Sequence, residues 1–352
     1  MRVAIEAASL ALSSGGLRRY TSELSLALAR CFPDDEFRLV SDQAFEMHAV
    51  APPNLRRGGG PRSSLERRWW LFGLARELSR MHADLVHGPD FAVPYIPRVP
   101  SVLTLHDLSP WMDPGWHHAA QRVRRRTPLL LDLGLATMVI TPSERVRRAA
   151  IERFRLRPER VVAVAEAAPS WMAPVAGPPP ERPYFLFVGT LEPRKNVEAV
   201  LESWRELRRT YAADLVIVGR RRSDAPSLPS DLPGLRLAGE VPDAALPALY
   251  SAATALVYPS HYEGFGLPVL EAMQCGAPVI ASKAVEEAAG DAALYADEPA
   301  AIARAMCALL ADPALAAQLR IRSLARAAGF SWDRAARHTF EVYHEARRRF
   351  GR

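Results

Sequence analysis

The sequence predicts an α/β protein built from two doubly wound parallel sheets, each with helices on both faces. Three observations carry this prediction: the length of 352 residues, a regular alternation of short apolar segments with helix-length amphipathic ones, and a proline-rich interruption near the middle. Because 352 residues exceed what one small core needs, two domains are expected. Hydrophobic residues make up 49% of the chain, which excludes a disordered protein.

Twelve short segments rich in Val, Ile and Leu are predicted as strands. They are residues 2–5, 37–40, 85–87, 101–105, 137–141 and 161–164 in the first half, and 184–188, 215–218, 235–238, 255–258, 278–281 and 293–295 in the second. The stretches between them, such as 20–32 and 143–154, carry apolar residues at three- and four-residue spacing, as amphipathic helices do. This alternation favours βα units and two Rossmann-like domains.

The domain boundaries follow from a change in composition. Residues 168–183 are packed with proline and small residues, which neither a helix nor a central strand tolerates, so we predict an inter-domain linker there. Residues 1–167 then form the first domain and 184–333 the second, while 334–352 form a last charged helix. Since doubly wound sheets bind ligands beyond the carboxyl ends of their strands, the active site is expected in a cleft that the two domains face.

Charge and cysteine content limit the function classes without choosing among them. The net charge of +6 is compatible with nucleic acid, anionic lipid or phosphorylated small molecules as partners. Three scattered cysteines predict neither a disulfide framework nor a zinc site. No apolar run reaches the roughly 18 residues that cross a bilayer, and the N-terminus is typical of a buried strand, not of a signal peptide. We therefore expect a cytoplasmic protein.

The segment 259–276, PSHYEGFGLPVLEAMQCG, is the most informative in the chain. A predicted strand ends just before it, Glu263 lies in the loop, and Gly264-Phe265-Gly266 precede a helix that carries Glu271. Glycines allow close approach of a ligand, and the N–H groups of a helix start attract phosphate. The carboxylates are suited to sugar hydroxyls. The alternative is a tight turn followed by a solvated helix residue.

A second motif, FLFVGTLEPRKN at 185–196, places two cations beside a helix start. The predicted strand ends at Gly189, and Arg194 and Lys195 close the loop before the next helix. Cations at this position suit a pyrophosphate group. The alternative interpretation is a solvated surface pair.

The first half contributes weaker signals. Gly15-Gly16 follows the first strand but lacks the spacing of a dinucleotide fingerprint, so a nicotinamide cofactor is not expected. We expect the chain to use no cofactor. The same glycines still allow a backbone to approach a phosphate or sugar. His106 ends another predicted strand, where a lone histidine is more often structural than functional.

Taken together, these motifs resemble the retaining glycosyltransferases of family four, whose two-domain arrangement is called GT-B. Glu263 and Glu271 match the Glu-x7-Glu pair of that family, within EGFGLPVLEAMQCGAPVIAS. GEVPDAALPALYSAATALVYPS at 239–260 is equally typical, and GTLEPRKN, HGPDF and LHDLSP resemble a subgroup of bacterial mannosyltransferases of polysaccharide or lipopolysaccharide assembly. The resemblance spans residues 1–345.

The resemblance implies a role for individual positions. Glu271 would bind the nucleotide ribose and Glu263 the donor sugar, while Arg194 and Lys195 would neutralise the leaving diphosphate. The implied catalytic residues are His106, Glu263, Arg194 and Lys195. The implied donor-binding residues are Gly16, Gly189, Val241, Leu246, Gly264, Phe265, Gly266, Leu267 and Glu271. The implied acceptor-side residues are Arg19, Tyr20 and Asp107, and no metal ligand is implied.

The implied reaction is metal-independent transfer of a sugar with retention of configuration. Its partners would be a nucleotide-sugar donor, with GDP-mannose the first choice and UDP-sugars the second, and a glycan or lipid-linked acceptor. Two departures from the family bear on the donor pocket: Gly189-Thr190 replaces the usual Gly-Arg, and segment 281–293 is short, with Glu286 or Glu287 as substitutes for a missing acidic residue. A GT-B enzyme of another reaction and a non-catalytic nucleotide-sugar or polyanion-binding protein remain the alternatives. No aromatic platform or helix-turn-helix accompanies the arginines, so nucleic acid is not expected.

Residues 56–70 raise the question of membrane contact. This segment combines five arginines with Trp69 and Trp70, a pattern that suits the surface of an anionic leaflet. The competing interpretation packs Trp69 and the following apolar residues against the sheet. Both interpretations stay open from the sequence alone.

Overall fold

A computed structural model describes residues 1–47, 50–116, 120–229 and 231–351. The chain divides into two compact units. The first unit contains Met1–Glu166 together with Trp332–Arg352, and the second contains Ala167–Ser331. Each unit is built around one sheet whose strand pairs are all parallel.

The strands and helices alternate along the chain. The strands are β1 Arg2–Glu6, β2 Glu36–Val40, β3 Leu55–Arg57, β4 Leu85–Gly88, β5 Ser101–Thr104, β6 Met138–Thr141, β7 Val161–Ala163, β8 Tyr184–Val188, β9 Asp214–Val218, β10 Leu235–Gly239, β11 Ala255–Tyr258, β12 Val279–Ala281 and β13 Ala293–Tyr295. The helices are α1 Gly16–Cys31, α2 Leu74–Arg80, α3 Ser109–Met112, α4 Gln121–Asp132, α5 Glu144–Phe154, α6 Val197–Leu207, α7 Leu246–Ala252, α8 Leu267–Gln274, α9 Glu286–Ala289, α10 Pro299–Ala311, α11 Pro313–Ala327 and α12 Trp332–Arg349.

Strand order places the first strand of each unit inside its sheet. The first sheet runs β3-β2-β1-β4-β5-β6-β7 and the second β10-β9-β8-β11-β12-β13. In the second unit, alternate residues of one strand enter two different cores: Leu186 and Val188 face one, and Phe185 and Phe187 the other. Such double-sided burial is why these strands are continuous apolar runs. The predicted fold class, two doubly wound parallel α/β domains, is confirmed.

All twelve predicted strands are present, with ends that differ by at most one residue. The sequence prediction missed β3, a three-residue strand at the edge of the first sheet. Two of its three residues are exposed arginines, so it lacks the apolar run by which the other strands were recognised. Its pairing with β2 comes from backbone hydrogen bonds, which leave no trace in side-chain pattern.

The predicted linker, 168–183, contains no helix or strand, but its first residues are anchored. Ala168 and Met172 are buried in a core of the second unit. The Gln274 amide donates to the carbonyl oxygens of Pro169, at 3.0 Å, and Met172, at 2.6 Å. This part of the segment therefore belongs structurally to the second unit.

The last helix, α12, packs on the first unit, as predicted, and begins two residues earlier than expected. The ring of Phe340 stacks on Phe32 with centroids 3.6 Å apart. Tyr343 is fully buried, and its hydroxyl lies 2.8 Å from His87 Nδ1. The other ring nitrogen of His87 lies 2.7 Å from the Thr104 hydroxyl. Burial lowers the pKa of His87 to about 3, so the ring is neutral between two hydroxyl partners.

We expect Tyr343→Phe to lower the free energy of unfolding by about 1–3 kcal/mol, because it leaves a buried His87 nitrogen without a partner. Urea unfolding followed by tryptophan fluorescence measures the change. Tyr211→Phe is the matched control, since the Tyr211 hydroxyl has no hydrogen-bond partner among the described residues. Equal unfolding curves for the two variants would contradict the prediction.

Candidate active site

The loops after β8 and β11 bring the predicted cations and a predicted carboxylate together. The two strands are neighbours in the second sheet, so their carboxyl ends lie side by side. Arg194 Nη1 lies 3.1 Å from Glu263 Oε2, and Lys195 Nζ lies 2.6 Å from Glu263 Oε1. All three side chains are buried, with at most 8% of each residue exposed. The alternative of a solvated surface pair is therefore wrong.

The ionisation of Glu263 is set by its two cations. Burial alone would raise the pKa of this carboxyl, but the charges of Arg194 and Lys195 outweigh burial and lower the pKa to about 2. Burial lowers the pKa of Lys195, and Glu263 opposes that shift. Lys195 Nζ also donates to the Tyr258 hydroxyl at 2.5 Å. Both oxygens of Glu263 are thus occupied by cations.

The ion pairs continue beyond the residues that the sequence singled out. Arg194 Nη2 lies 2.7 Å from Glu192 Oε1, and the other oxygen of Glu192 pairs with Arg222. Arg222 in turn lies 2.5 Å from Asp224. Charges alternate along a continuous row of six residues, from Lys195 through Glu263, Arg194, Glu192 and Arg222 to Asp224. Sequence analysis missed Glu192 and Arg222, although Glu192 lies inside the GTLEPRKN motif and Arg222 follows β9.

Glu271 lies on α8 and is fully buried. The Tyr250 hydroxyl donates to Glu271 Oε2 at 3.0 Å. The alternative of a solvated helix residue is wrong. Gly266 precedes the helix with a φ of 108°, and an added Cβ there would lie 2.7 Å from the Val285 side chain. Glycine is required at this position for its backbone conformation and for its close packing.

Most of the other predicted donor-binding side chains of this unit are buried. Phe265 is buried, with its ring edge-on to Phe330 at 5.7 Å. Leu246 and Leu267 are also buried, and Val241 is partly exposed. The loop at Gly189 passes against Gly219, where an added Cβ would lie 2.0 Å from the Gly189 carbonyl oxygen.

The short segment 281–293 is fully folded. It contains α9 and single 3-10 turns on either side, Lys283–Val285 and Gly290–Ala292. Ser282 Oγ donates to the Ser260 carbonyl at 2.6 Å, which fixes the segment to the loop that carries Glu263. Glu286 and Glu287, the suggested substitutes for a missing acidic residue, are exposed.

In the first unit, His106 is held by two acceptors. Its Nδ1 lies 3.2 Å from Glu166 Oε1 and its Nε2 2.7 Å from the Pro89 carbonyl oxygen. Burial would lower the pKa of His106, but Glu166 and the Pro89 carbonyl raise it above its usual value. Because both nitrogens face acceptors, the geometry favours the imidazolium. Sequence analysis did not identify Glu166, which follows β7 at the same edge of the sheet.

Tyr20 is the predicted acceptor-side residue that the structure brings to His106. Their rings are edge-on with centroids 4.6 Å apart, and the Tyr20 hydroxyl lies 3.0 Å from the Thr104 hydroxyl. Gly16 and Arg19 lie in the first turn of α1. The Asp107 carboxylate accepts from the Ser109 backbone N–H at 2.9 Å and from the Ser109 hydroxyl at 2.6 Å, and so forms an Asx turn just before α3.

The C-terminal end of the segment 56–70 packs into the core of the first unit. Trp69 is only 2% exposed and belongs to a core with Leu74, Leu78 and Met81. The structure thus favours the packing interpretation for these four residues. Arg67 and Arg68 are exposed, and membrane contact through them stays a prediction.

Two further findings concern the described residues only. Among them, no group of three or more His, Cys, Asp or Glu side chains is arranged to hold a metal ion. No single described helix is long and apolar enough to cross a membrane, and only Pro299–Ala311 with Pro313–Arg349, bent at 104°, pass the same length and composition test as a pair.

Both halves of the chain match known protein families. A family model described as glycosyl transferases group 1 matches residues 182–312, and one described as Glycosyltransferase Family 4 matches residues 14–167. The chain is 32% identical over 370 residues to the O-antigen chain mannosyltransferase B of Escherichia coli, which covers 93% of this chain and 95% of that protein.

Solved structures share the fold at low sequence identity. Sucrose-phosphate synthase from Thermosynechococcus elongatus superimposes with a TM-score of 0.72 at 19% identity, covering 98% of both chains. Anabaena HepE, solved with UDP and glucose, gives a TM-score of 0.70 at 16% identity, covering 98% of this chain and 100% of that one. At these identities the likeness concerns the fold alone.

We expect Arg222→Met to lower the free energy of unfolding by about 1–2 kcal/mol, because a mostly buried Glu192 loses one of its two cations. Arg221→Met is the matched control, since Arg221 is exposed and belongs to none of the ion pairs of this row. Urea unfolding of both variants measures the difference. If the two variants have the same free energy of unfolding, the ion pair between Arg222 and Glu192 does not stabilise the fold.

Proposed function

The chain belongs to the group 1, family-four glycosyltransferases, and on that basis we propose that it transfers mannose from GDP-mannose to a glycan acceptor with retention of configuration. The observation that carries this proposal is the buried Glu263 carboxylate between Arg194 and Lys195, at 3.1 and 2.6 Å. Mannose is favoured by the 32% identity to a mannosyltransferase over almost its whole length.

Charge develops on both sides of the anomeric C–O bond as it breaks. The leaving diphosphate gains negative charge, which Arg194 and Lys195 are placed to stabilise. The sugar ring gains positive charge, and the ionised Glu263, with a pKa of about 2, is suited to stabilise it. Preorganised groups of this kind contribute about 3–4 kcal/mol each to transition-state stabilisation.

The ion pairs of Glu263 also bear on the stereochemical course. A carboxylate whose two oxygens are engaged by cations is a weak nucleophile, because its electron pairs are already occupied. We therefore propose that Glu263 does not form a covalent intermediate and that the acceptor attacks on the face from which the diphosphate leaves. Retention follows from that geometry.

Nucleotide recognition is assigned to Glu271. Carboxylate oxygens accept hydrogen bonds from ribose hydroxyls, and Glu271 lies on α8 directly after the Gly264-Phe265-Gly266 loop, with the Tyr250 hydroxyl donating to its Oε2. UDP-sugars are the second donor class, since the HepE structure contains UDP and glucose. Comparing GDP-mannose with UDP-glucose in a transfer assay distinguishes the two classes.

The acceptor in this proposal is a glycan or a lipid-linked glycan, met at the cytoplasmic face of a membrane. Arg67 and Arg68 are the exposed cations that would contact an anionic leaflet. Trp69 takes no part in this contact, because it is buried.

We expect Glu271→Ala to weaken the binding of GDP about tenfold or more, and Glu263→Ala to lower kcat with a smaller effect on GDP affinity. The reason is that Glu271 faces the ribose, whereas Glu263 acts on the charge that develops during the reaction. Calorimetry with GDP and steady-state kinetics measure the two effects. Glu202→Ala, on an exposed position of α6, is the control. If Glu263→Ala and Glu271→Ala both behave like Glu202→Ala, the site assignment is wrong.

We expect transfer to continue in EDTA, and Lys195→Met to lower kcat about 100- to 1000-fold, because a cation of the protein takes the place of a metal at the diphosphate. Lys283→Met changes the only other lysine, which is exposed, and should behave like the wild type. Circular dichroism checks that each variant is folded. Activity lost in EDTA and restored by Mg²⁺ would rule out the metal-free mechanism.

A further inference from the structure

The loop that follows β9 is paired with the loop that follows β8, beyond the ends of both strands. The Leu191 N–H donates to the Arg220 carbonyl at 2.8 Å, and the Arg222 N–H donates to the Leu191 carbonyl at 3.3 Å. Leu191 therefore lies opposite Arg221 in a short parallel bridge. Because side chains alternate along extended backbone, Glu192 and Arg222, each one residue beyond the bridge, come to the same face.

The Arg222 guanidinium is held in a defined orientation by its own loop. Its Nε and Nη2 donate to the two carboxylate oxygens of Asp224, at 2.9 and 2.5 Å. The Ala225 N–H donates to the Arg222 carbonyl at 3.1 Å and closes the turn that carries both side chains. A bidentate pair of this kind fixes the plane of the guanidinium, and the remaining nitrogen, Nη1, pairs with Glu192 Oε2.

Glu192 is shared between two arginines and meets each of them through a different oxygen. Oε1 accepts from Arg194 Nη2 at 2.7 Å, while Oε2 pairs with Arg222. Arg194 Nη1 is directed to the other side, where it donates to the Tyr262 carbonyl at 2.6 Å and lies 3.1 Å from Glu263 Oε2. Arginine and carboxylate groups often pair through two parallel hydrogen bonds, and the contact of Glu192 with Arg222 competes with that arrangement at Arg194.

We propose that Arg222, oriented by Asp224, is a positioning residue of the diphosphate site: it occupies one oxygen of Glu192 and so keeps Arg194 directed towards Glu263. This inference rests on the proposed function, since the binding of a diphosphate by Arg194 belongs to it. Without the Arg222 cation, the buried Glu192 would draw Arg194 into a bidentate pair, because a buried carboxylate with one unpaired oxygen is costly. The guanidinium of Arg194 would then turn away from the diphosphate.

Ligands with and without phosphate separate positioning from a general loss of structure. We expect Arg222→Met to lower the affinity for GDP about tenfold and to leave the affinity for guanosine unchanged, because only the phosphate groups meet Arg194. We expect kcat for mannosyl transfer to fall about 10- to 100-fold, since a displacement of about 1 Å can cost about 100-fold in rate. Calorimetry measures GDP binding, displacement of GDP measures guanosine binding, and circular dichroism checks that each variant is folded.

A second substitution at Glu192 tests how Arg222 acts. The double variant Glu192→Gln/Arg222→Met lacks the carboxylate that would draw Arg194 away, so it should bind GDP more tightly than Arg222→Met alone. Arg222→Lys keeps a cation beside Glu192 and should lose less GDP affinity than Arg222→Met. Arg221→Met is the matched control and should behave like the wild type, because Arg221 is exposed and its Nη2 donates to the Pro226 carbonyl at 3.4 Å.

The inference is overturned if Arg221→Met and Arg222→Met bind GDP alike, if GDP and guanosine lose affinity in proportion, or if the double variant binds GDP no better than Arg222→Met. Any of these results in a chain that transfers mannose from GDP-mannose would remove the positioning role and leave the proposed function. Binding of UDP in place of GDP, with the same dependence on Arg222, would leave the positioning role and remove GDP-mannose as the donor. A wild type that binds neither GDP nor UDP would remove both.

Discussion

The parallel arrangement of the strands determines which side chains meet in each of the two units. In a parallel sheet every strand ends at the same edge, so each loop that follows a strand brings its side chains to that edge. Arg194 and Glu263 are separated by 69 positions in sequence, yet the strands before them are neighbours and their charged groups lie 3.1 Å apart. In the first unit, the same arrangement brings Glu6, which ends β1, near Asp90, which follows β4. The chemistry of each unit follows from the residues that happen to terminate its strands.

The two edges satisfy their charges in different ways. In the second unit, cations and carboxylates alternate from Lys195 to Asp224, and each is balanced by its neighbours before any ligand arrives. A diphosphate that bound here would compete with Glu263 for Arg194 and Lys195. Its affinity would therefore depend on the strength of these two ion pairs. The lowered pKa of Glu263 keeps that carboxylate ionised throughout. Preorganisation of this kind avoids the cost of assembling charges during the reaction.

The sequence predicts the positions of the strands better than it predicts the contacts between side chains. Buried parallel strands are continuous apolar runs, so their positions were predictable to within one residue; only the edge strand Leu55–Arg57, with two exposed arginines, left no such run. Glu263 and Arg194 were identified because they lie in motifs. Arg222 was not, because its role comes from a contact with Glu192 across 30 positions, and spatial neighbours of that kind have no local signature. Likewise, Trp69 beside arginines is compatible with a membrane surface, and only its burial decides the matter.

At the carboxyl edge of the first sheet, a buried carboxyl is kept neutral and is not paired with a cation. There the Trp69 side chain lies almost completely buried beside Glu6, and burial raises the pKa of Glu6 to about 8 with no cation to oppose it. Hydrogen bonding to a carboxyl that burial keeps neutral avoids the cost of holding an unpaired charge in the core. The second unit therefore balances its buried charges with one another, whereas the first unit keeps a buried carboxyl neutral, and each solution avoids an uncompensated charge in a core.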